Sequence, residues 1–587
     1  MTVLDVATSL SGRRWVWRQG EDRIGFAIAE QLGLSEMLGR LLVARGVGLD
    51  DAPHFLDPTV RALLPDPSVL VDMDLAAERL AHAVRRAETV AVFGDYDVDG
   101  ACSGALIAGL LRELGCTVIS YVPDRLREGY GPNAPAVLGL AERGAGLVVC
   151  VDCGTAAGEA LGVLAGRADV VVLDHHKADH VPAGIVATVN PNRVDDDSGL
   201  GSLCAAAIVF MAAIALVRCL RKGGFFFERR AEPDLLARLD LVALATVCDV
   251  MPLRGLNRAL VAQGLKVMAR RNRPGIAALL EVAGVKEAPT AFSCGFALGP
   301  RINAAGRISE CDIGLRLLLA QDAAEARELA MLLDEVNRQR QHVESSMLDL
   351  ALAEGEAQAA RGLPVLFVHG AAWHPGVVGI VAGRIKERQN RPACVGGSAG
   401  GVIKGSGRSV PGLDLGAAVI AALQAGILLS GGGHAMAAGF SLAVERAEDF
   451  HAFLTERLAA ARDLPCAADL PVEAMLTVPG ATMDLAREVS RLAPFGAGND
   501  EPTFVLPRTR VVRSDRIGKD GATIRAFIEG EGGGARLKAL MFRAGEGALG
   551  QAFTQPSARL HLAGHLRAES WNGSENLSFV VTDAAVA

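Results

Sequence analysis

The sequence predicts a multidomain α/β protein with a parallel-sheet domain first and a small β-barrel last. Between about residues 75 and 250, short apolar runs alternate with helices rich in alanine and leucine, which is the βαβ pattern of a parallel sheet. From 321 to 354 the chain has neither glycine nor proline, and apolar residues recur at helical spacing. After residue 465, alternating segments separated by turn residues indicate a small all-β domain.

Five apolar runs predict the strands of the first sheet. They are Val90–Phe93, Val118–Val122, Leu147–Val151, Val170–Leu173 and Ile185–Val189. A helix is expected to open at the turn after the first run, near Asp99, and to continue to Leu114. The most apolar window, Ala205 to Val217, is too short and too rich in alanine to span a bilayer, so it predicts a buried helix.

These patterns divide the chain into five segments. The ranges are an N-terminal leader of residues 1–70 that packs on the first domain, a first α/β domain at 71–320, a linking helix at 321–360, a second and smaller α/β domain at 361–462 and a β domain at 463–587. A helix as long as 321–360 commonly bridges two domains, and the alternative is an ordinary core helix. The predicted strands of the β domain are Thr503–Leu506, Ala522–Ile528, Arg536–Met541, Arg559–Ala563 and Leu577–Val581.

Bulk composition limits the class of protein without choosing a function. The chain has 587 residues, half of them apolar, and a formal net charge of −8, which excludes a globally basic nucleic-acid coat but not a local basic groove. Eleven scattered cysteines fit reduced thiols better than a disulfide framework. Cys150 and Cys153 have the spacing of a zinc half-site, but no second pair lies nearby. With no secretory pattern, we expect a soluble cytoplasmic protein without membrane contact.

Acidic residues and histidines follow the predicted strands. Asp95, Asp97 and Asp99 come directly after the first run; Asp152 follows the third, and Asp174-His175-His176 follows the fourth. Ligands in open parallel sheets bind outside the carboxyl ends of the strands, so these side chains should meet in one crevice. Three acids after an apolar strand are costly without a cation, and carboxylates with histidine suit Mg²⁺ or Mn²⁺. The alternatives are a solvated acidic turn and simple helix caps.

A further acid, Asp249, follows the apolar helix 241–247. A negative charge at a helix C-terminus is mildly unfavourable, so a cationic partner explains it better than a structural role. Two ions held by such a cluster would lower the pKa of a water molecule and neutralise charge on the attacking and leaving oxygens of a phosphate. The sequence therefore predicts metal-assisted phosphodiester hydrolysis without a side-chain nucleophile.

These motifs resemble the DHH phosphoesterase superfamily. Asp95-x-Asp97-x-Asp99, Asp152-Cys153-Gly154, Asp174-His175-His176 and residues 245–253 match its first four motifs in order, and residues 431–439 resemble the signature of its associated C-terminal domain. The similarity runs from about residue 50 to the C-terminus. Order, spacing and length are most similar to the superfamily's bacterial single-strand-specific 5′→3′ DNA exonucleases.

The resemblance implies roles for the motif residues. The ligands of two divalent ions, Mn²⁺ or Mg²⁺, would be Asp95, Asp97, Asp99, Asp152, His175 and Asp249. Asp152 would bridge both ions, and Asp174 would orient the adjacent imidazole. His176 would face the substrate and donate a hydrogen bond to a phosphate oxygen. The resemblance also implies that the β domain is an OB fold, which commonly binds single strands.

Other polar residues are candidates for binding the substrate. In the first domain they are Arg125, Arg127, Tyr130, Arg301, Asn303 and Arg307; in the second they are His374, Ser406, Arg408, Gly432, Gly433 and His434. Arginine pairs with phosphate in bidentate fashion, tyrosine stacks on bases, and glycine-rich loops form anion-binding nests. The alternatives are surface arginines and tight glycine turns.

We therefore expect a 5′→3′ exonuclease that degrades single-stranded DNA in recombination and repair, working with a helicase and a single-strand-binding protein. One alternative is a phosphodiesterase of short oligonucleotides or cyclic dinucleotides; the β domain argues for a long strand instead. A second, of another class, is a non-catalytic replication scaffold, which the complete set of motif ligands disfavours.

Overall fold

The structure, a computed structural model, describes residues 2–125, 127–178, 180–227, 231–465, 467–518, 521–545, 547–555, 558–571 and 574–587. The chain forms two compact units. Unit 1 contains residues 1–50, 340–492 and 501–587, and unit 2 contains residues 51–339 and 493–500. In the described ranges, no helix is long and apolar enough to cross a membrane.

The helices and strands are numbered along the chain. The strands are β1 Trp15–Trp17, β2 Thr89–Gly94, β3 Thr117–Tyr121, β4 Leu147–Val151, β5 Asp169–Leu173, β6 Ala187–Val189, β7 Leu366–Ala371, β8 Ala393–Ala399, β9 Val402–Arg408, β10 Ser430–His434, β11 Ala437–Ala443, β12 Leu470–Val472, β13 Ala474–Met475, β14 Phe504–Ile517, β15 Thr523–Glu529, β16 Arg536–Met541, β17 Arg559–Trp571 and β18 Ser574–Val586. The helices are α1 Asp22–Leu32, α2 Glu36–Val43, α3 Ala52–Leu56, α4 Val60–Leu63, α5 Met73–Arg85, α6 Val98–Glu113, α7 Ala134–Glu142, α8 Gly158–Gly162, α9 Ala205–Lys222, α10 Leu239–Cys248, α11 Gly255–Met268, α12 Pro274–Val282, α13 Ala291–Ser293, α14 Gly299–Ile308, α15 Ile313–Leu319, α16 Ala323–Ala360, α17 Val378–Gln389, α18 Leu415–Gln424, α19 Ala447–Arg457, α20 Met483–Ser490 and α21 Ala548–Thr554.

Unit 2 is built on a five-stranded parallel sheet in the order β3-β2-β4-β5-β6. β2, β4 and β5 are almost entirely buried, as expected for strands covered by helices on both faces. The five predicted strands are confirmed within two residues. The predicted apolar helix is α9, which is buried along most of its length and continues past Val217 to Lys222.

The second α/β region, in unit 1, has a sheet in the order β10-β11-β9-β8-β7. Only β7 and β8 pair in parallel, and the other neighbours are antiparallel. Helices α18 and α19 contribute to an apolar core that includes Phe440 and Phe450. The predicted smaller α/β domain is therefore present, with a mixed rather than a parallel sheet.

The C-terminal region of unit 1 is a closed barrel. Strands β14, β15, β16, β18 and β17 are neighbours in that order, and β14 also pairs with β17, which closes the sheet. The sequence analysis predicted this small β-barrel. The predicted strands mark its core, but β14, β17 and β18 are longer than predicted because their outer parts are polar.

The N-terminal leader differs from its predicted position. Residues 1–50 belong to unit 1, where β1 pairs in parallel with β12 and the Trp15 indole donates a hydrogen bond to the buried Asp583 carboxylate at 2.9 Å. Val3 and Val6 join the same apolar cluster as Val505 of the barrel. Only residues 51–70 lie in the unit that holds the first α/β domain. The apolar leader thus packs on the β domain.

Candidate metal centre

The first acidic residues lie in the turn between β2 and α6. The Asp97 carboxylate caps α6 by accepting a hydrogen bond from the Gly100 backbone N–H at 3.1 Å. Asp99 lies in the first turn of that helix and is only 1% exposed. Its two oxygens accept hydrogen bonds from the first two backbone N–H groups of α9 at 2.7 and 2.8 Å. The backbone therefore fixes two carboxylates just beyond the strand end.

Asp152 follows β4 in a left-handed backbone conformation, with φ of 59°. Gly154, two residues later, has φ of 115°, and a Cβ there would lie 3.0 Å from Cys150 and 3.1 Å from Val172. The turn is thus strained for any larger side chain. It holds Asp152 at the strand end, where the carboxylate is 2% exposed.

The remaining members of the cluster come from β5 and α10. His175 follows β5, and Asp249 is the residue at which α10 ends. The Nε2 atom of His175 lies 3.3 Å from Asp152 Oδ1, 3.6 Å from Asp249 Oδ2 and 3.9 Å from Asp99 Oδ2. Four separate parts of the chain therefore converge on one point of unit 2.

Three overlapping groups have ligand atoms within 4.8 Å of one another. They are Asp152 with His175 and His176, Asp99 with His175 and Asp249, and Asp95 with Asp97 and Asp152. Together they contain every residue that the sequence analysis assigned to the metals. Asp152 belongs to two of these groups and His175 to two, so the groups overlap, as expected for two neighbouring cation positions.

Three buried oxygens of this cluster accept no hydrogen bond from the residues that the structure describes. They are Asp95 Oδ1, Asp152 Oδ1 and Asp249 Oδ2. A buried carboxylate oxygen without a partner is costly, and buried polar groups normally have one. Oxygen and imidazole ligands in close groups suit a divalent cation such as Mg²⁺ or Mn²⁺. The donor set and its unpaired oxygens therefore fit divalent ions.

The electrostatics of the cluster agree with this fit. Burial, followed by repulsion from Asp97, raises the pKa of Asp95 to about 8. Burial, followed by repulsion from Asp99, also raises the pKa of Asp249 to about 8. Burial and repulsion from Asp99 raise the pKa of Asp152, and burial raises the pKa of Asp99 although His175 opposes the rise. Without added positive charge the cluster therefore retains protons, which a cation would displace.

The Asp174 carboxylate contacts the imidazole of His176 and does not belong to the groups of metal-ligand candidates. Its Oδ1 lies 2.8 Å from His176 Nδ1, and its Oδ2 accepts a hydrogen bond from the Thr155 hydroxyl at 2.7 Å. Burial opposes ionisation, but these hydrogen bonds outweigh it and lower the pKa of Asp174 to about 2. Burial likewise opposes the charged form of His176, yet Asp174 raises the pKa of that imidazole to about 9. Asp174 reaches His175 only through the backbone N–H, at 2.7 Å.

Two asparagines that the sequence analysis missed hold the His175-His176 segment. Asn190 is fully buried, and its amide donates to the Thr155 hydroxyl at 2.9 Å and to the His176 carbonyl at 2.8 Å. The Asn192 amide donates to the His175 carbonyl at 2.7 Å. The sequence does contain a signal for them, an Asn-Pro-Asn segment directly after the fifth apolar run. This segment lies at the same edge of the sheet as the acids.

Comparison with known proteins agrees with the fold and the cluster. Residues 89–246 match the DHH family N-terminal domain, 362–460 match the DHHA1 domain, and 472–583 match the RecJ OB domain. The single-stranded-DNA-specific exonuclease RecJ of Dickeya dadantii is 38% identical over 521 residues, which cover 87% of this chain and 89% of that protein. The chain belongs to the RecJ family. The Escherichia coli RecJ exonuclease is also 38% identical, with the same coverage, and that of Bacillus subtilis is 33% identical over 98% of this chain and 71% of its own length.

Solved structures of the RecJ family match almost the whole chain. The crystal structure of Thermus thermophilus RecJ in complex with Mn²⁺ covers 96% of this chain and 78% of its own, with a TM-score of 0.77 and 30% identity. The Mg²⁺ complex from the same organism has a TM-score of 0.73 at 29% identity, over 96% of this chain and 76% of its own. Both complexes contain a divalent ion of the kind that the carboxylate cluster fits.

The three candidate substrate-binding residues that follow β3 in this RecJ family member differ in how they lie relative to the cluster. The Arg125 guanidinium lies 4.9 Å from the centre of the Tyr96 ring, beside Asp95. Arg127 is exposed and lies 3.7 Å from Asp124. Tyr130 was expected to stack on a base, but its hydroxyl is directed at the histidine segment.

Two of the three polar residues predicted on α14 make structural contacts. Arg301 forms a 2.9 Å ion pair with Asp334, and the Asn303 side chain accepts a hydrogen bond from the Val98 backbone N–H at 3.1 Å. Asn303 therefore supports the turn that carries the first acids. Arg307 is half-buried on the same helix.

In unit 1, most candidate residues of the RecJ family's DHHA1 domain lie on β9 and β10, two strands that are separated by β11. The pairing of β9, β11 and β10 places Ser406 level with Gly432 and Arg408 level with His434. Because alternate residues of a strand share a face, these four lie on one face. The Arg408 guanidinium donates to the Ser406 hydroxyl at 2.8 Å.

The N-terminal part of α17 covers that face. A Cβ at Gly379 would lie 3.0 Å from the Arg408 guanidinium and 3.1 Å from the Ser406 hydroxyl. Gly433 has φ of 154°, and a Cβ there would lie 2.4 Å from the Ala437 carbonyl. His374 precedes α17 and accepts a hydrogen bond from the Gly376 backbone N–H at 3.1 Å. Glycines thus allow α17 to approach Arg408 and Ser406 closely and allow the backbone to turn at Gly433.

Proposed function

We propose that this chain is a metal-dependent exonuclease that degrades single-stranded DNA from its 5′ end and releases mononucleotides. The observation that carries the proposal is the convergence of three acid-rich groups that leave carboxylate oxygens of Asp95, Asp152 and Asp249 without hydrogen bonds. The chain belongs to a family whose relatives are single-stranded-DNA-specific exonucleases, which supports single-stranded DNA as its substrate. The 5′→3′ direction rests on the resemblance of the motifs.

The cluster would hold two divalent ions, Mn²⁺ or Mg²⁺. We assign them the ligands Asp95, Asp97, Asp99, Asp152, His175 and Asp249, with Asp152 shared. When bound, such ions lower the pKa of water and neutralise charge on the attacking and leaving oxygens. The residues around them keep the carboxylates fixed, because Asp97 and Asp99 are tied to backbone N–H groups.

His176 would donate a proton or a hydrogen bond to the phosphate. Its Nδ1 lies 2.8 Å from Asp174, and we assign Nε2, which lies 3.4 Å from the Tyr130 hydroxyl, to a substrate oxygen. The hydrogen bond with Asp174 outweighs burial and raises the pKa of the imidazole, which favours its protonated form. A fixed cationic donor stabilises charge that develops on the phosphate oxygens.

The terminal phosphate of the strand would be bound by the DHHA1 domain. Ser406 and Arg408 offer a hydroxyl and a guanidinium on one strand face, and Gly432, Gly433 and His434 lie on β10, on the other side of β11. His374 lies before the helix that covers this face. Guanidinium and backbone N–H groups recognise phosphate. In unit 2, we assign Arg125, Arg127 and Arg307 to the backbone of the strand, with Arg301 and Asn303 supporting the site.

The β-barrel would bind the continuing single strand, as OB folds do through basic grooves and aromatic stacking. We further propose a role in recombination and repair in the cytoplasm, with a helicase to unwind duplex and a single-strand-binding protein as partners. The ten cysteines in the described ranges are all free thiols, which supports a reducing compartment.

Parallel digestion of two labelled oligonucleotides tests the direction. One strand carries the label at its 5′ end and the other at its 3′ end, and each is incubated with and without Mn²⁺. We expect the 5′ label to be released as a mononucleotide at once, while the 3′-labelled strand shortens progressively, and only with the ion. Immediate release of the 3′ label would contradict the direction. Cleavage of dinucleotides without digestion of long strands would favour the short-oligonucleotide phosphodiesterase instead.

A further inference from the structure

Tyr130 lies on a loop that is tied down close to the metal centre. The Glu128 carboxylate accepts hydrogen bonds from the Asp124 backbone N–H at 2.8 Å, the Tyr121 hydroxyl at 2.7 Å and the Asn133 amide at 3.0 Å. These bonds connect the end of β3 with the start of α7. The loop therefore presents Tyr130 in a defined position, although about half of the residue's surface, 51%, is exposed.

The Tyr130 hydroxyl joins two strand ends. It donates a hydrogen bond to the Asp152 backbone carbonyl at 3.0 Å, because that carbonyl can only accept. The same oxygen lies 3.0 Å from His176 Nδ1, which it shares with Asp174, and 3.4 Å from Nε2, and it can accept from the protonated imidazole. Burial of the hydroxyl, followed by the charges of Asp174 and Asp152, raises the pKa of Tyr130 above its ordinary value, so the phenol remains a donor.

The His176 imidazole is thus held on two sides. Asp174 binds Nδ1 at 2.8 Å, and the Tyr130 ring meets the imidazole edge-on, with ring centres 5.5 Å apart and an angle of 65°. Asp174 alone leaves the imidazole free to tilt about one hydrogen bond. A second contact from a different loop removes that freedom and ties the imidazole to the backbone of Asp152.

We propose that Tyr130 is a positioning residue for His176, fixing through its hydroxyl the direction in which Nε2 faces the scissile phosphate. The inference rests on the proposed function, since it concerns the same site. It differs from the role that the sequence suggested, which was stacking of the aromatic ring on a base. The two roles use different parts of one side chain, and substitution separates them.

Steady-state kinetics on a 5′-phosphorylated single strand with Mn²⁺ distinguish these roles. Tyr130→Phe keeps the ring and loses the hydroxyl, and Tyr130→Ala loses both. For a positioning residue, Tyr130→Phe lowers kcat by about 10- to 100-fold, the usual effect of removing a partner that orients a metal-site group, and leaves KM within about twofold. Wild-type kcat in Tyr130→Phe, with a raised KM in Tyr130→Ala, would overturn the proposal in favour of base stacking.

Two further variants exclude a general effect on the loop. Ser120→Ala removes a hydroxyl of β3 that is bound by Arg112 and takes no part in the Glu128 bonds, and it should keep wild-type kinetics. His176→Gln lowers kcat by itself, and adding Tyr130→Phe to it should have almost no further effect, because the hydroxyl acts through the imidazole. Fully multiplicative losses in the double variant would contradict the coupling.

The magnetic resonance signal of His176 tests the positioning role of Tyr130 without depending on exonuclease activity. In protein with labelled histidines and Mg²⁺, the Cε1–H resonance of His176 is the one that disappears in His176→Gln. Tyr130→Phe should shift that resonance, and Ser120→Ala should not. An unshifted resonance in folded Tyr130→Phe would overturn the positioning role. If the wild type degrades no single-stranded DNA, the proposed function fails, and the resonance alone decides the role of Tyr130.

Discussion

The buried carboxylate of Asp95 should make the metal-free protein less stable as the pH rises. Asp95 is 4% exposed, and its pKa rises from 3.8 to about 8 on folding, with burial as the main cause. Between these values the folded chain holds a proton that the unfolded chain has lost. Stability is therefore lost as the pH increases through this window, by about 1.4 kcal/mol per pH unit at most.

The size of the effect follows from the same shift. From pH 5 to pH 7, Asp95 alone should lower the free energy of unfolding by roughly 2–3 kcal/mol. Asp95→Asn cannot ionise and should lose that part of the pH dependence, so its metal-free stability should approach or exceed that of the wild type near pH 8. Divalent ions should remove the wild-type slope, because a cation replaces the proton.

Urea unfolding in EDTA at pH 5, 6, 7 and 8, repeated with Mn²⁺, measures this contribution. Asp197→Asn serves as the control, because that carboxylate is exposed in the same unit and should leave the pH profile unchanged. Parallel metal-free profiles for Asp95→Asn and the wild type would refute the reasoning. So would an equal slope with and without Mn²⁺.

Three further predictions concern other parts of the molecule. Asp152→Ala should lower exonuclease turnover by several orders of magnitude at saturating Mn²⁺, with the circular dichroism spectrum unchanged; wild-type turnover would contradict the two-ion site. Arg408→Ala should raise KM for a 5′-phosphorylated strand while sparing kcat, and Arg446→Ala, on the surface of the same unit, should change neither. Asp583→Ala leaves the buried Trp15 indole N–H without its partner and should cost about 1–3 kcal/mol in urea unfolding; an unchanged midpoint would contradict that contact.

The parts of the fold with a strong local signal could be predicted from the sequence. Strands β2, β4 and β5 are apolar runs bounded by charged or turn residues, and their acids had to meet because parallel strands end at one edge. The 38-residue helix α16 could be predicted because its sequence lacks helix breakers until Gly355. Local pattern and tertiary structure agree in these elements.

Features that depend on distant contacts could not be predicted in this way. No local signal shows that Trp15 pairs with a barrel residue more than five hundred positions away. The guanidinium of Arg301 suggested a phosphate ligand, but its partner Asp334 lies on the next long helix. The contacts of the Tyr130 hydroxyl could not be predicted either, because the sequence shows an aromatic residue and not where its hydroxyl points.

The most direct test of the account compares three DNA substrates. Linear single strands, circular single strands and blunt duplexes are incubated with Mn²⁺ and either the wild type or Asp152→Asn. We predict that only the wild type acts, and that it converts linear single strands to mononucleotides while leaving circles and blunt duplexes intact. Digestion of circles or duplexes by the wild type, or equal digestion of linear strands by Asp152→Asn, would contradict a metal-dependent exonuclease specific for single-strand ends.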